Sequence, residues 1–280
     1  MSQEDATSAE PGLLAQCLAE FIGTFIVILV GDGAVAVAVM TGGLDGWGVA
    51  MMWGLGVMLA IFVAAPVSGA HFNPAVTIAM AVFRSFPARK LAPFFISQIA
   101  GAFTGAAAVY GMWCGHWPQA IEKMGIEVGA PGSQKLMSIF SCFYPSPGAG
   151  VDAAVMSRVS TGGAFFVEVL ITGFLLLMIF ALTEPSSTAL PKSGTGPLFI
   201  GLTVAVSVGL AGQLTMDAIN PARDLGPRLF GYVIGFGRIA FPGPRGNEWW
   251  LYILAPITGG LMGGGVYRFL VRRFLAVAQS

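Results

Sequence analysis

Charged side chains are scarce in this chain: 14 basic and 14 acidic residues among 280, or 10% of the total. Soluble domains carry about a quarter. With a mean hydropathy of +0.77, that scarcity excludes an ordinary soluble domain and points to an integral membrane protein. The two signs balance, so there is no basic face for nucleic acid or another polyanion. Cysteine is equally sparse. Cys17, Cys114 and Cys142 have no metal-ligand spacing, and a disulfide framework belongs to small secreted domains. Cys114 and His116 have no third ligand nearby and read as a loop coincidence, so neither a metal nor a cofactor is expected. The N-terminal MSQEDATSAEPG lacks the basic stretch of a secretory signal, and residues 1–12 read as a disordered tail. No nucleophile, metal cluster or acid–base pair occurs at usable spacing, which argues against an enzyme.

Long apolar runs and small residues are what the chain has. Six stretches, at about 13–39, 47–66, 91–113, 160–183, 196–213 and 249–270, are long enough to cross a hydrocarbon core of about 30 Å. The 39 glycines suit a bundle in which helix backbones approach closely without a hydrophobic drive between them. Two shorter apolar segments remain, at about 74–84 and 221–233. Some ten residues rise about 15 Å, which enters a bilayer without crossing it. Backbone that ends at that depth must be buried in protein or line a wet cavity.

Both short segments open with the same triplet, Asn73-Pro74-Ala75 and Asn220-Pro221-Ala222. Asn is a favoured helix N-cap, and Pro at the first helical position loses an N–H that had no partner anyway. Glu20 precedes Asn73 by 53 residues and Glu168 precedes Asn220 by 52, each with a threonine four residues on, Thr24 and Thr172. Each half runs span, span, half-helix, span. Three spans per half is odd, so the second half enters from the opposite face, giving an inverted repeat with its site at the midplane. The chain then divides into one channel domain, 13–273, and a tail, 274–280. Within the domain lie repeat one at about 13–113, a connecting loop at 114–159 and repeat two at about 160–270. Arg84, Arg89, Lys90, Arg268, Arg272 and Arg273 flank spans on the side of the termini, which the positive-inside rule places in the cytoplasm. Arg228, Arg238 and Arg245 fall on the other side.

Half-helices entering from opposite faces meet with their positive ends together, about +0.5 charge each. Asn73 and Asn220 would cap them and offer amide donors to a passing hydroxyl or water, while a cation meets two positive ends in a low dielectric. The ordinary alternative is that each triplet merely starts a helix. Glu20 and Glu168 are expected to accept hydrogen bonds from the loops that precede the half-helices; the alternative is a proton relay, for which His71 is the nearby histidine. Asp32 is expected at the water interface; the alternative is a group at the pore mouth. Arg223, one turn into the second half-helix, is expected to face the pore, and Asp224 to serve the helix dipole and hold the adjoining loop.

HFNPAVTIA and INPARDLGPRLF resemble the two signature loops of the aquaporin (major intrinsic protein) family. AEFIGTF, MMWGLGVMLAIF and VSGAHFNPAVTIA resemble in particular the bacterial glycerol facilitators, and the likeness runs over about 13–270. The resemblance implies an all-α membrane fold with six transmembrane helices and two re-entrant half-helices. It also implies a homotetramer in the inner (plasma) membrane, one pore per subunit, and passive passage of glycerol, related small neutral solutes and water. It implies an outer filter that includes Trp53, its indole opposite the Arg223 guanidinium. Val208 aligns where water-selective members place a histidine, and Asp224 is typical of the glycerol-conducting branch. Asp217 departs from the pattern, since an aromatic usually stands three residues before the second Asn. Either it faces the pore and partly neutralises Arg223, or it turns away to bond loop backbone. A water-selective channel and an ion-coupled transporter remain as rival readings.

Overall fold

The computed structural model describes residues 10–187 and 194–275; of the expected tails, 1–12 and 274–280, residues 1–9 and 276–280 lie outside them, while Glu10 pairs with Lys90 and helix runs on through Arg272–Leu275. Repeat one consists of α1 (Leu13–Ala36), α2 (Gly46–Ser68), the half-helix α3 (Pro74–Phe83) and α4 (Leu91–Met112). Repeat two consists of α5 (Thr161–Leu182), α6 (Gly196–Thr215), the half-helix α7 (Pro221–Gly231) and α8 (Leu251–Val266). Five helices among the described residues have the length and apolarity to cross a membrane. α8, the shortest, continues through a π-turn at Tyr267–Val271 into Arg272–Leu275, which extends its path enough to complete the sixth crossing.

Caps set several starts. Asp45 accepts from the N–H of Gly48 at 2.7 Å at the head of α2, and Ser160 from Gly163 at 3.1 Å at the head of α5. Asn73 and Asn220 cap the half-helices, each with proline at the first helical position. α1 packs on α2 and α4, and α5 packs on α6 and α8. The two half-helices cross over: α3 lies against α8 and α7 against α4. Each repeat therefore supports the half-helix of the other. At the centre α2 meets α6 through Gly54 and Gly201, where a Cβ on either would lie 2.5 Å from the other's carbonyl oxygen. This approach requires glycine on both sides.

Polarity is distributed as a bilayer demands. Glu20, Thr24, Gln98, Glu168 and Thr172 are fully buried, while Leu18, Phe62, Val206, Leu210 and Phe269 are exposed. Large apolar side chains left on the outside while these polar ones are buried mark a surface that faces lipid.

The connection 114–159, expected as a plain loop, is built. It carries short helices at Trp117–Met124, Gln134–Met137 and Ala153–Met156. Leu136, Met137, Ile139, Phe140, Phe143 and Tyr144 belong to the buried interior. Asp224 and Arg228 of α7 hold it down: Cys142 N–H donates to Asp224 Oδ1 at 2.8 Å and Cys142 O accepts from Arg228 Nη2 at 2.7 Å. Asp224 thus holds an adjoining loop as expected. Arg228, counted from the sequence among the charges of the outer side, is instead wholly buried.

Candidate functional site

The two loops before the half-helices are held in conformations that side chains usually avoid. Ala70 and Phe72 in the first, and Met216, Asp217 and Ile219 in the second, have positive φ between 45° and 63°. Such backbone persists where its surroundings over-determine it. Here the buried glutamates do so. Glu20 accepts from His71 N–H at 2.9 Å and Phe72 N–H at 2.7 Å; Glu168 accepts from Ala218 N–H at 3.0 Å and Ile219 N–H at 2.9 Å. Thr24 and Thr172 each donate to the carbonyl of the glutamate four residues before, at 2.7 Å. Ser68 and Gln98 complete the shell of Glu20 at 2.7 Å each. These are the bonds from loop backbone expected of the paired acids.

The half-helices meet at the two asparagines, and each asparagine does two things. Its Oδ1 caps its own helix, Asn73 accepting from Ala75 N–H and Asn220 from Ala222 N–H, both at 2.9 Å. Its Nδ2 donates across the interface: Asn73 to Ile219 O at 2.8 Å, and Asn220 to Phe72 O at 2.9 Å. These reciprocal bonds lock the repeats together. They consume one hydrogen of each amide and leave the second free.

Both asparagines line a cavity of about 290 Å³. One wall is aliphatic and comes from helical ridges four residues apart: Val57, Ile61 and Ala65 of α2, Ile200, Val204 and Val208 of α6, and Leu175 and Ile179 of α5. The two loops before the half-helices, residues 69–73 and 217–220, also line the cavity. His71 lies in the first of these loops, its Nδ1 3.3 Å from Thr77 Oγ1 and its ring against Phe86 and Phe94.

Trp53, Val208, Asp217 and Arg223 all border the cavity. Three details differ from expectation. The Arg223 guanidinium lies 4.3 Å from the Trp53 ring centroid, so the two stack in contact instead of facing each other across a gap. Asp32 is fully buried, with Oδ1 3.9 Å from Arg223 Nη1. It is no interface residue, because α1 carries it into the bundle beside the guanidinium. Asp217 borders the cavity but accepts from the Ser207 hydroxyl at 2.9 Å instead of from loop backbone. The carboxylate within ion-pair range of Arg223 is that of Asp32, not Asp217.

This geometry sits in a chain whose residues 7–267 match the family described as "Major intrinsic protein". The chain belongs to the major intrinsic proteins. Its relatives in that family include the glycerol uptake facilitator protein of Pseudomonas aeruginosa, 44% identical over 96% of this chain and 93% of the relative. That of Escherichia coli K12 is 41% identical over 94% and 90%. The propanediol uptake facilitator of Citrobacter freundii is 39% identical over 94% of both. The X-ray structure of the aquaglyceroporin from Plasmodium falciparum superposes with a TM-score of 0.80 at 27% identity, over 95% of this chain and all of that one.

Within this major intrinsic protein, sequence reasoning brought the asparagines, the glutamates, Trp53 and Arg223 to one place. It missed Ser207, Gln98 and the partnership of Asp32. Ser207 is a single hydroxyl in an apolar run, and its role appears only when α6 stands beside the loop it precedes.

Proposed function

We propose that the protein is a passive transmembrane channel for glycerol and related small neutral solutes, with water passing by the same route. One observation carries the reading: the crossed amides of Asn73 and Asn220, each capping a half-helix and bonding the opposite loop, stand in the wall of a single cavity. The amphipathic wall suits a polyol. Its carbon chain lies against Val57, Ile61, Val204 and Leu175, while its hydroxyls turn to the loops, the free amide hydrogens and Arg223. The chain's similarity to glycerol and propanediol uptake facilitators favours the same cargo.

Cations meet two positive half-helix ends in a low-dielectric passage and are excluded. Water at the midpoint accepts from both asparagines, which orients it against a continuous proton wire. Trp53, Val208 and Arg223 form the outer filter, and Glu20, Glu168, His71 and Asp224 hold the frame around it. The exposed apolar exterior and the family resemblance support a homotetramer in the inner (plasma) membrane with cytoplasmic termini. This reading calls for no catalysis, cofactor or nucleic acid.

Stopped-flow light scattering of proteoliposomes tests the function. Glycerol entry well above that of empty liposomes, not coupled to a proton or sodium gradient, is the expected result. Fast osmotic water flow with glycerol entry no faster than in empty vesicles would make it a water-selective channel. Gradient-dependent accumulation would make it a transporter.

A further inference from the structure

Beyond Val266, α8 runs on through the π-turn Tyr267–Val271, where the Arg272 N–H donates to Tyr267 O five residues back. In a regular α-helix residues five apart point about 140° away from each other. The wider π-turn brings them towards the same side. Tyr267 and Arg272 show this, because both face one ion pair. Arg84 lies 3.3 Å from Glu184 Oε2 with its guanidinium 6.0 Å from the Tyr267 ring centroid, and Arg272 Nε reaches the same oxygen at 3.1 Å. The next two positions are paired in the same way. Arg268 and Arg273 are both exposed, and Phe269 and Phe274 are 61% and 60% exposed. Neither arginine has an acidic partner or a hydrogen-bond acceptor among the described residues, and the carboxylate of Glu184 is already engaged by Arg84 and Arg272.

We propose that this π-turned segment seats the headgroup of an anionic phospholipid, with Arg268 and Arg273 on the phosphate and Phe269 and Phe274 against the acyl chains. Planar guanidinium forks match phosphate oxygens in pairs. Two arginines against the one carboxylate of Glu184 leave the neighbourhood cationic even before Arg268 and Arg273 are counted, so no acid opposes a negative headgroup. A zwitterionic headgroup brings a cation of its own, which these arginines repel. A free phosphate ion would use the arginines and leave the two phenylalanines uncovered. A phospholipid meets both faces at once, at the end of a span where headgroups and acyl chains adjoin. The site does not depend on which solute the pore carries.

Native mass spectrometry of the full chain in a neutral detergent, titrated with dioleoylphosphatidylglycerol or dioleoylphosphatidylcholine, counts the bound lipid. Phosphatidylglycerol is expected to bind more tightly than phosphatidylcholine, and to lose roughly tenfold or more in affinity in the double variant Arg268→Gln/Arg273→Gln. Arg89→Gln/Arg238→Gln removes the same charge from exposed positions elsewhere and is expected to keep wild-type affinity. Equal phosphatidylglycerol affinity in wild type and Arg268→Gln/Arg273→Gln, or an equal loss in the Arg89→Gln/Arg238→Gln control, would overturn the proposal. Glycerol phosphate, which has the phosphate without the chains, is expected not to displace the lipid at millimolar concentration, whereas Phe269→Ser/Phe274→Ser is expected to weaken lipid binding. Displacement by glycerol phosphate, or an affinity unmoved by the phenylalanine changes, would make this a site for soluble phosphate and overturn the lipid assignment.

Discussion

Glu168 gives its two oxygens to two consecutive N–H groups of a loop in which Met216, Asp217 and Ile219 all adopt positive φ. Left-handed backbone costs an L-residue about 1–2 kcal/mol at each position, so the loop needs a partner that rewards that conformation. A carboxylate suits this because it accepts at both oxygens. Glutamine does not, because its NH2 confronts one of the two N–H donors and leaves it unmet, at about 1–3 kcal/mol. Glu168→Gln is expected to lower the thermal unfolding temperature in detergent and to reduce glycerol permeability together; an unchanged unfolding temperature would show that Glu168 is not the anchor. Residue roles were legible where the repeat states them twice. Glu20 and Glu168 stand 148 residues apart in matched positions, which suggested one shared task. Asp32 has no such echo: 148 residues on stands Phe180. Its place beside Arg223 is a product of tertiary packing, and no spacing in the sequence encodes it.

The half-helix α7 illustrates what an element needs once it cannot span. Its N-terminus is satisfied by Asn220, while its outer end has to be tied to something. Arg228 does this from the fully buried face. Nε donates to Asp224 Oδ2 at 2.7 Å and Nη2 to Asp224 Oδ1 at 2.9 Å; Nη1 donates to Ala240 O at 3.0 Å and Nη2 to Cys142 O at 2.7 Å. One planar fork thus joins α7 to both outer segments, a geometry that lysine cannot reproduce. Arg228→Leu strands a buried carboxylate and two carbonyls, and breaking a buried pair from one side costs about 3–5 kcal/mol. It is expected to unfold well below the wild-type temperature and to expose the 133–145 segment to limited proteolysis, and Arg228→Lys is not expected to rescue it. Wild-type protease resistance in Arg228→Leu would refute the tether. The half-helix itself was readable from its cap and length. Its anchorage was not, because residues around Cys142 carry no motif and look like any Gly-, Pro- and Ser-rich connection.

The same outer cap holds a pH-sensitive group. Burial pushes the Glu248 carboxyl up to about 7, against the pull of Arg228 and Arg245 in the other direction. A carboxyl that binds its proton more tightly when folded stabilises the fold at low pH. That contribution is lost as pH rises from the ordinary glutamate value of 4.5 through about 7. Unfolding temperatures measured between pH 5 and pH 8 are expected to fall less steeply in Glu248→Gln than in wild type, and parallel profiles would exclude a contribution from Glu248.

At the scale of the whole molecule, the inverted repeat makes orientation a question of charge. Six crossings put Leu13 and Arg272 on one face, with Arg84 and Lys90 beside the ends of α3 and α4. Three arginines counted on the opposite face, but two of them are engaged within the protein. Arg228 is wholly buried against Asp224. Arg245 donates to Tyr144 O at 3.0 Å, Val159 O at 3.2 Å and Met156 O, with its guanidinium over the Tyr144 ring. Both therefore serve packing inside the outer cap; on the side of the termini Arg84 and Arg272 likewise pair with Glu184 and Lys90 with Glu10, so cytoplasmic termini are proposed from the count of span-flanking basic residues. The three native cysteines supply the test, because they differ in access: Cys114 is exposed just beyond α4, Cys17 is half-buried near the start of α1, and Cys142 is buried. A membrane-impermeant maleimide applied to intact spheroplasts is expected to label the protein, and Cys114→Ser is expected to abolish that label. Labelling of Cys114 that appears only after the membrane is permeabilised would invert the assignment, placing the 114–159 segment and the outer filter on the cytoplasmic side.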